Sequence, residues 1–217
     1  IRYVGLAASH VGRSTVQQVY DQIEKDLVAA IPLLTDRVPY SSGYVNKNTA
    51  KALLARFYEF KGDWAKDLTN ALDVINTGGY TLTTTANHVS YFNGGTVRTD
   101  KVESLFELNF DPNGNAGLES MPYLFLQAGY GDALAADAFF GIFSATDVRR
   151  SMMVDAVRGG KNVKVINKFP SNINYTMKLA RLSEVYLVAA EASYQTGNIP
   201  QALSYLNQVA TRRDAAF

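Results

Sequence analysis

Cysteine is absent from the 217 residues of this sequence. That absence excludes disulfides, thiol nucleophiles and thiolate metal ligands within the chain. Histidine is nearly as scarce, because only His10 and His88 occur. They lie far apart, and both are expected at the surface. With so few candidate ligands, we predict no metal site and no bound cofactor.

An excess of charge of one sign is also missing, since Lys and Arg number 21 and Asp and Glu number 20. Nucleic-acid binding and polybasic attachment to a membrane both need a positive excess, so neither is expected. No apolar run approaches the roughly 20 residues that cross a bilayer. The start, Ile1–Gly12, lacks the features of a signal peptide, and residues 201–217 stop inside a predicted helix. We therefore interpret the chain as a fragment of a longer precursor.

Apolar residues at three- and four-residue spacing predict several helices. The first covers about 16–34, with a capping box at Ser14 and Gln17 and an end near Pro32. A helical hairpin follows, with helices at about 49–61 and 64–76 and Asn48 as the first N-cap. A second hairpin covers 179–210, and its last helix is expected to bury Leu203, Leu206 and Val209.

The two hairpins match each other in sequence. Aligning Gly62 with Gly197 places Ala55 over Ala190 and Leu68 over Leu203. Small residues before the turn and a leucine after it are typical of tetratricopeptide-type repeats, in which neighbouring hairpins share one core.

The middle of the chain has a different pattern. Alternating apolar residues in 103–110 predict a short strand, and 133–143 favours a short helix. The segments 152–157 and 163–169 flank Arg158-Gly159-Gly160-Lys161, which predicts a β-hairpin. The predicted fold class is mostly α, with tetratricopeptide-like helical hairpins as a scaffold and a loop-rich middle containing short strands. We expect one domain over 1–217, helical in 13–79, mixed in 80–176 and helical in 177–217.

Two blocks of the sequence resemble the SusD-like (RagB-type) family. Asn46–Leu82 has the family's helix ending in small and aromatic residues, then Gly-Asp, a helix ending in Val-Ile, and Gly-Tyr. Arg181–Arg213 follows the family pattern R-L-(A/S)-E-(V/I)-Y-L…A-E-A…N-x-V-x-x-R. Between them, Glu103–Glu107 resembles a short family strand, and Gly129-Tyr130-Gly131 and Asp147–Arg150 fall where members often carry G-(W/Y)-G and D-x-R.

This resemblance implies a function without chemistry on the ligand. Family members capture glycans outside Gram-negative cells as surface-exposed lipoproteins of the outer membrane. Their partner is a TonB-dependent (SusC-like) outer-membrane transporter. Contact with the membrane is expected only through a lipid anchor, which is absent from this chain. The family segment that normally follows Arg213 is absent too.

Candidate ligand-binding residues lie in the loop-rich middle: Tyr130, Tyr123, Asp132, Tyr91 and Asn93. Aromatic faces accept the apolar face of a pyranose, and polar groups bind its hydroxyls. Two alternatives stay open. One is a tetratricopeptide-like module that binds a protein or peptide in a concave groove. The other is a glycoside hydrolase, which needs two carboxylates across a cleft, whereas Glu184 and Glu191 share one helix face. Arg181 lies three residues before Glu184 and is expected to pair with it.

Overall fold

The computed structural model describes residues 12–36, 38–169 and 173–217. The helices are α1 (Val16–Ala30), α2 (Lys47–Lys61), α3 (Trp64–Thr77), α4 (His88–Phe92), α5 (Met121–Phe125), α6 (Asp137–Gly141), α7 (Leu182–Gln195) and α8 (Ile199–Ala210). The strands are β1 (Ser104–Phe110), β2 (Leu134–Ala135), β3 (Met153–Arg158), β4 (Lys161–Ile166) and β5 (Tyr175–Arg181). The mostly helical class with short strands is confirmed.

The two helical hairpins, α2–α3 and α7–α8, turn in the same way. Gly62 and Gly197 both adopt left-handed backbone, with φ of 73° and 83°. The next residues, Asp63 and Asn198, have nearly identical dihedrals and cap the following helix through their side chains. Glycine is favoured at such a position because a Cβ is strained at positive φ. The alignment made from the sequence therefore corresponds to a real structural repeat.

The main core lies where α2, α3 and α7 meet. Ala55, Ala71 and Ala189 are at most 1% exposed there, and these small side chains let the helices approach closely. Leu105 of β1 and Leu182 of α7 complete the cluster, so the strand pair is joined to the helical scaffold.

Several helix boundaries and faces differ from the sequence prediction. The capping box of α1 is formed by Thr15 and Gln18, one residue later than expected. Asn46, not Asn48, caps α2, and its side-chain nitrogen also donates to the Tyr80 hydroxyl at 3.1 Å. The expected burial of Leu203 and Leu206 is wrong, because they are 51% and 41% exposed. Of the described elements, α8 packs extensively only on α7, which leaves these side chains uncovered.

The strands form two small antiparallel sheets in the middle of the chain. β1 pairs with β5, and β2, β4 and β3 form the second sheet in that order. The predicted β-hairpin is confirmed as β3 and β4, joined by Gly159 and Gly160, both at positive φ. A two-residue hairpin turn of type I′ requires this conformation at both central residues.

A buried carboxylate joins the sheet to both hairpins. Glu103 is fully buried and accepts hydrogen bonds from the backbone N–H groups of Thr83 and Ser183. The guanidinium of Arg213, just after α8, lies 3.3 Å from the same carboxylate. Burial acts to raise the pKa of Glu103, but the bonds from Ser183 and Thr83 and the charges of Arg213 and Arg181 outweigh it and lower the pKa.

Two further side chains lie elsewhere than predicted. His88, expected at the surface, is 2% exposed, and its Nδ1 lies 3.1 Å from the Thr83 hydroxyl. Glu184, expected to pair with Arg181 along its own helix, instead forms a bidentate ion pair with Arg56 of α2. The Arg56–Glu184 pair joins two different helices, which helix periodicity does not reveal.

Asp67 of α3 gives a test of the core by pH. Its side chain is fully buried, and neither carboxylate oxygen has a hydrogen-bond partner among the described residues. Burial first, and then the charges of Glu59 and Glu191, raise its pKa from 3.8 to about 8. The folded state therefore disfavours ionisation, so this group lowers stability progressively as pH rises from about 4 to about 8.

We expect Asp67→Asn to increase the free energy of unfolding at pH 8 by about 1 kcal/mol or more. The gain should shrink towards pH 5, because Asp67 is then neutral in the folded protein. Urea unfolding followed by circular dichroism at pH 5, 6.5 and 8 measures the difference. The exposed Glu119→Gln is the control for loss of one charge. A gain that is equal at all three pH values would contradict the assignment.

Candidate ligand-binding site

Helix α5 and the turn that follows it bring three of the predicted residues together. Ser120 caps the helix by accepting from the N–H of Tyr123. The chain then folds back, so that the N–H of Tyr130 donates to the Tyr123 carbonyl at 2.9 Å and that of Asp132 donates to Leu124 at 3.0 Å. The turn is therefore held against the helix by its own backbone.

Two glycines make this close approach possible. A Cβ at Gly129 would overlap the carbonyl group of Tyr123, and one at Gly131 would overlap the Arg158 guanidinium. Gly131 also has a φ of 59°, which other residues adopt only with strain. The Arg158 guanidinium donates to the Gln127 carbonyl at 2.8 Å, which ties the turn to the β3–β4 hairpin.

The result is an exposed pair of tyrosines. The rings of Tyr123 and Tyr130 meet edge to face, with centroids 4.7 Å apart and an angle of 88° between their planes. Tyr130 is 48% exposed, Tyr123 is half-buried, and the neighbouring Asp132 is exposed. An edge-to-face pair fixes the orientation of both rings and leaves aromatic surface open to a ligand.

The other two predicted residues lie on α4. Tyr91 is 2% exposed, its hydroxyl lies 2.7 Å from that of Ser104, and its ring packs on Phe92. A ring buried in this way has no face to offer a sugar, so Tyr91 is left out of the proposed site. Asn93 follows the helix and is exposed.

The sequence did not predict two cavities, of which the second borders α5. Met121 and Phe125, four residues apart on that helix, line the second cavity, of about 360 Å³. The first, of about 340 Å³, is bordered by α4, α7 and the end of β4. Phe92, Ile166, Lys168 and Arg181 line both cavities. None of the five predicted site residues lines either one.

The polar groups of the first cavity are arranged around Phe92. The Lys168 ammonium lies 4.2 Å from the Phe92 centroid, and the Arg181 guanidinium lies 5.5 Å from it. His88 also lines the cavity, and burial followed by the charge of Arg213 lowers its pKa to about 3, so its imidazole is neutral at physiological pH. The first cavity therefore combines an aromatic surface with positively charged side chains.

Asp147 and Arg149 form an ion pair at the end of the loop that follows α6. The carboxylate caps a short 3-10 turn at Val148–Met152 and accepts from the Arg149 guanidinium. Across the described ranges, no three His, Cys, Asp or Glu residues converge in a way that could hold a metal ion. None of the helices in those ranges is long and apolar enough to cross a membrane.

Two family models match the chain. Residues 7–58 match a family described as starch-binding and associating with the outer membrane. Residues 126–216 match the SusD family. A comparison with curated protein sequences gave no match.

Several solved structures share the fold of this chain over more than nine-tenths of its length. A Bacteroides vulgatus protein provisionally assigned to sugar binding is 30% identical, with a TM-score of 0.86, over 99% of this chain and 49% of that one. A SusD superfamily protein of Bacteroides thetaiotaomicron is 30% identical, with a TM-score of 0.79, over 93% and 48%. Surface glycan-binding protein A of Bacteroides uniformis shares the fold at 20% identity, with a TM-score of 0.70, over 92% and 50%.

The architecture and these matches define a helical-repeat scaffold with a loop-rich middle segment. The chain belongs to the SusD/RagB family. It spans about half the length of the solved structures it matches. The resemblance found in the sequence is thereby confirmed.

Gly129 gives a test of how the tyrosine pair is held. We expect Gly129→Ala to lower the free energy of unfolding by about 1–3 kcal/mol, because the added methyl group would overlap the Tyr123 carbonyl. Gly141→Ala is the matched control, since nothing lies within 4 Å of a Cβ there. Denaturant unfolding of the two variants measures the difference. Equal stabilities would show that the turn is not packed against α5 as described.

Proposed function

We propose that this chain is part of a non-catalytic glycan-binding protein of the outer-membrane surface, which delivers its ligand to a TonB-dependent transporter. The observation that carries this proposal is the exposed tyrosine pair, Tyr123 and Tyr130, on a turn fixed by two glycines. The starch-binding description of the matched family and the sugar-binding assignment of a relative at 30% identity support it. Delivery to the transporter and attachment through a lipid anchor rest on family membership.

The geometry suits reversible sugar binding. The apolar face of a pyranose can pack on the open surface of Tyr130, while the Asp132 carboxylate accepts hydrogen bonds from hydroxyl groups. The Tyr130 hydroxyl can donate or accept at the same edge. Because the turn is already tied to α5, little conformational entropy is lost when a ligand binds. Asn93, exposed at the end of α4, remains a candidate for a further polar contact.

Binding without catalysis is favoured by the positions of Glu184 and Glu191, the two carboxylates that share one helix face. Hydrolysis of a glycosidic bond needs two carboxyl groups about 5–10 Å apart across the scissile bond. Glu184 forms an ion pair with Arg56 on the helical scaffold. Glu191 lies on the same helix as Glu184, α7, whereas the tyrosine pair lies on α5 and the turn that follows it. Neither belongs to the elements that form the proposed site.

Affinity electrophoresis of the intact protein in gels containing single polysaccharides tests the function. We expect retardation by at least one glycan and an affinity at least about tenfold lower for Tyr130→Ala, which corresponds to about 1.4 kcal/mol of lost stacking. Tyr194→Ala is the matched control, because Tyr194 is 61% exposed but lies on α7.

The outcomes separate function from site. Retardation that persists in Tyr130→Ala would keep glycan binding and move the site elsewhere. Equal losses in Tyr130→Ala and Tyr194→Ala would indicate a general effect on the protein. No retardation on any polysaccharide would overturn the function and favour a peptide or protein ligand.

A further inference from the structure

The charges that line the two cavities are all of one sign. The charged lining residues are Arg149, Lys168, Lys178, Arg181 and Arg213. None of the described residues that line either cavity is Asp or Glu. In a chain with almost equal numbers of basic and acidic residues, five cations around neighbouring cavities are a local concentration of positive charge.

Three of these cations have carboxylate partners behind the cavity wall. Arg149 pairs with Asp147, and Arg213 pairs with Glu103. Lys178 lies 3.8 Å from the buried Glu107. The guanidinium of Arg181 lies 4.0 Å from the Glu103 carboxylate, which is farther than the 3.3 Å of Arg213 from the same carboxylate.

Lys168 has no such partner among the described residues. Its ammonium lies over the ring of Phe92, and the nearest charges that act on it are Arg181 and Lys178. Burial first, and then these two cations, lower the pKa of Lys168 to about 8. A bound anion would relieve this repulsion, so its binding here is favoured by the charges already present.

The residues that line both cavities, Phe92, Ile166, Lys168 and Arg181, form a shared cationic wall. We propose that this cationic wall binds the carboxylate or sulfate group of an acidic sugar, with Lys168 and Arg181 as the contacts to the anion. The inference rests on the proposed glycan-binding function and adds the chemical class of the ligand. Cavities of this size accommodate small ligands or single units of larger ones. Phe92, Met152, Met153 and Ile166 supply the apolar surface for the sugar ring, which a site for a simple inorganic anion would not need.

The position of α5 links this subsite to the tyrosine pair. Met121 and Phe125 line the second cavity, whereas Tyr123, two residues from each, lies on the other side of the helix. A helix is only about 10 Å across, so one oligosaccharide can span it. The tyrosines then hold a sugar ring of any charge, and the cationic wall selects for an acidic unit.

Isothermal titration calorimetry of the intact protein tests the inference with matched ligands. Oligogalacturonates are compared with their methyl esters, and sulfated galactan oligosaccharides with desulfated ones, so that the members of each pair share a sugar backbone and differ in the anionic group. We expect the charged member of at least one pair to bind at least about tenfold more tightly. Which pair shows the difference identifies the anion as carboxylate or sulfate.

Lys168→Met is the informative variant, because methionine keeps the packing on Phe92 but removes the charge. It should reduce the preference for the charged ligand, because Arg181 alone then contacts the anion, and it should weaken binding of the neutral ligand less than binding of the charged one. Lys168→Arg should retain the preference. Lys161→Met, at the exposed start of β4, is the control for loss of one positive charge.

A pH series adds a readout that a purely structural role would not change. Since Lys168 loses its proton as pH rises through about 8, affinity for the charged ligand should fall between pH 7 and 9.5. The fall should be absent in Lys168→Arg, because arginine stays protonated over that range.

Three results would overturn the inference. The first is equal affinity for the charged and neutral members of both pairs, which would still leave the proposed glycan binding intact. The second is a Lys168→Met variant that retains the full preference. The third is inorganic sulfate binding as tightly as the oligosaccharide, which would indicate a plain anion site. Failure of every glycan to bind, with Tyr130→Ala also without effect, would instead remove the proposed function itself.

Discussion

The arrangement of the helices and strands depends on the hydrogen bonds and the ion pair that the buried Glu103 carboxylate makes. This carboxylate receives backbone donors from Thr83 and Ser183, on either side of the middle segment, and the charge of Arg213 near the C-terminal end. An uncompensated charge in such a position would cost several kcal/mol, so each partner is needed to keep the others in place. Glu103 itself has a φ of 64°, a strained value for a residue with a side chain, and the surrounding bonds hold it there.

This network explains how a loop-rich segment is positioned on a helical scaffold. β1 starts immediately after Glu103 and pairs with β5, which leads directly into α7. The β1–β5 sheet therefore connects the repeat hairpins to the segment between its two strands, which carries α5 and the tyrosine pair. Ligand groups on loops gain their precision from such a rigid support.

The helices, their turns and the β-hairpin could be predicted from the sequence because their signals are local. Gly62 and Gly197 mark the two repeat turns, and Gly159-Gly160 marks the hairpin. Contacts between distant segments were less accessible. The partner of Glu184, for example, comes from a helix more than a hundred positions away in sequence.

The candidate site shows the same division. Tyr123, Tyr130 and Asp132 lie close together because one short turn connects them, which the glycines of Gly129-Tyr130-Gly131 indicated. The cationic wall was missed because Lys168 follows β4, whereas Arg181 lies on β5. These strands belong to different sheets, and local sequence patterns do not reveal that the two come together. Alternation on β5 places Thr176 and Lys178 on the same face, but nothing in that pattern says which face borders a cavity.

Helix α5 is only five residues long, yet its two faces belong to different surfaces. A substitution at position 123 alters the aromatic platform without changing the cavity, and substitutions at 121 or 125 do the reverse. Mutational drift in related proteins can thus alter preference for ring shape and preference for charge separately, one helix face at a time. Such independence gives a single scaffold a route to many ligands through changes confined to one turn and a half of helix.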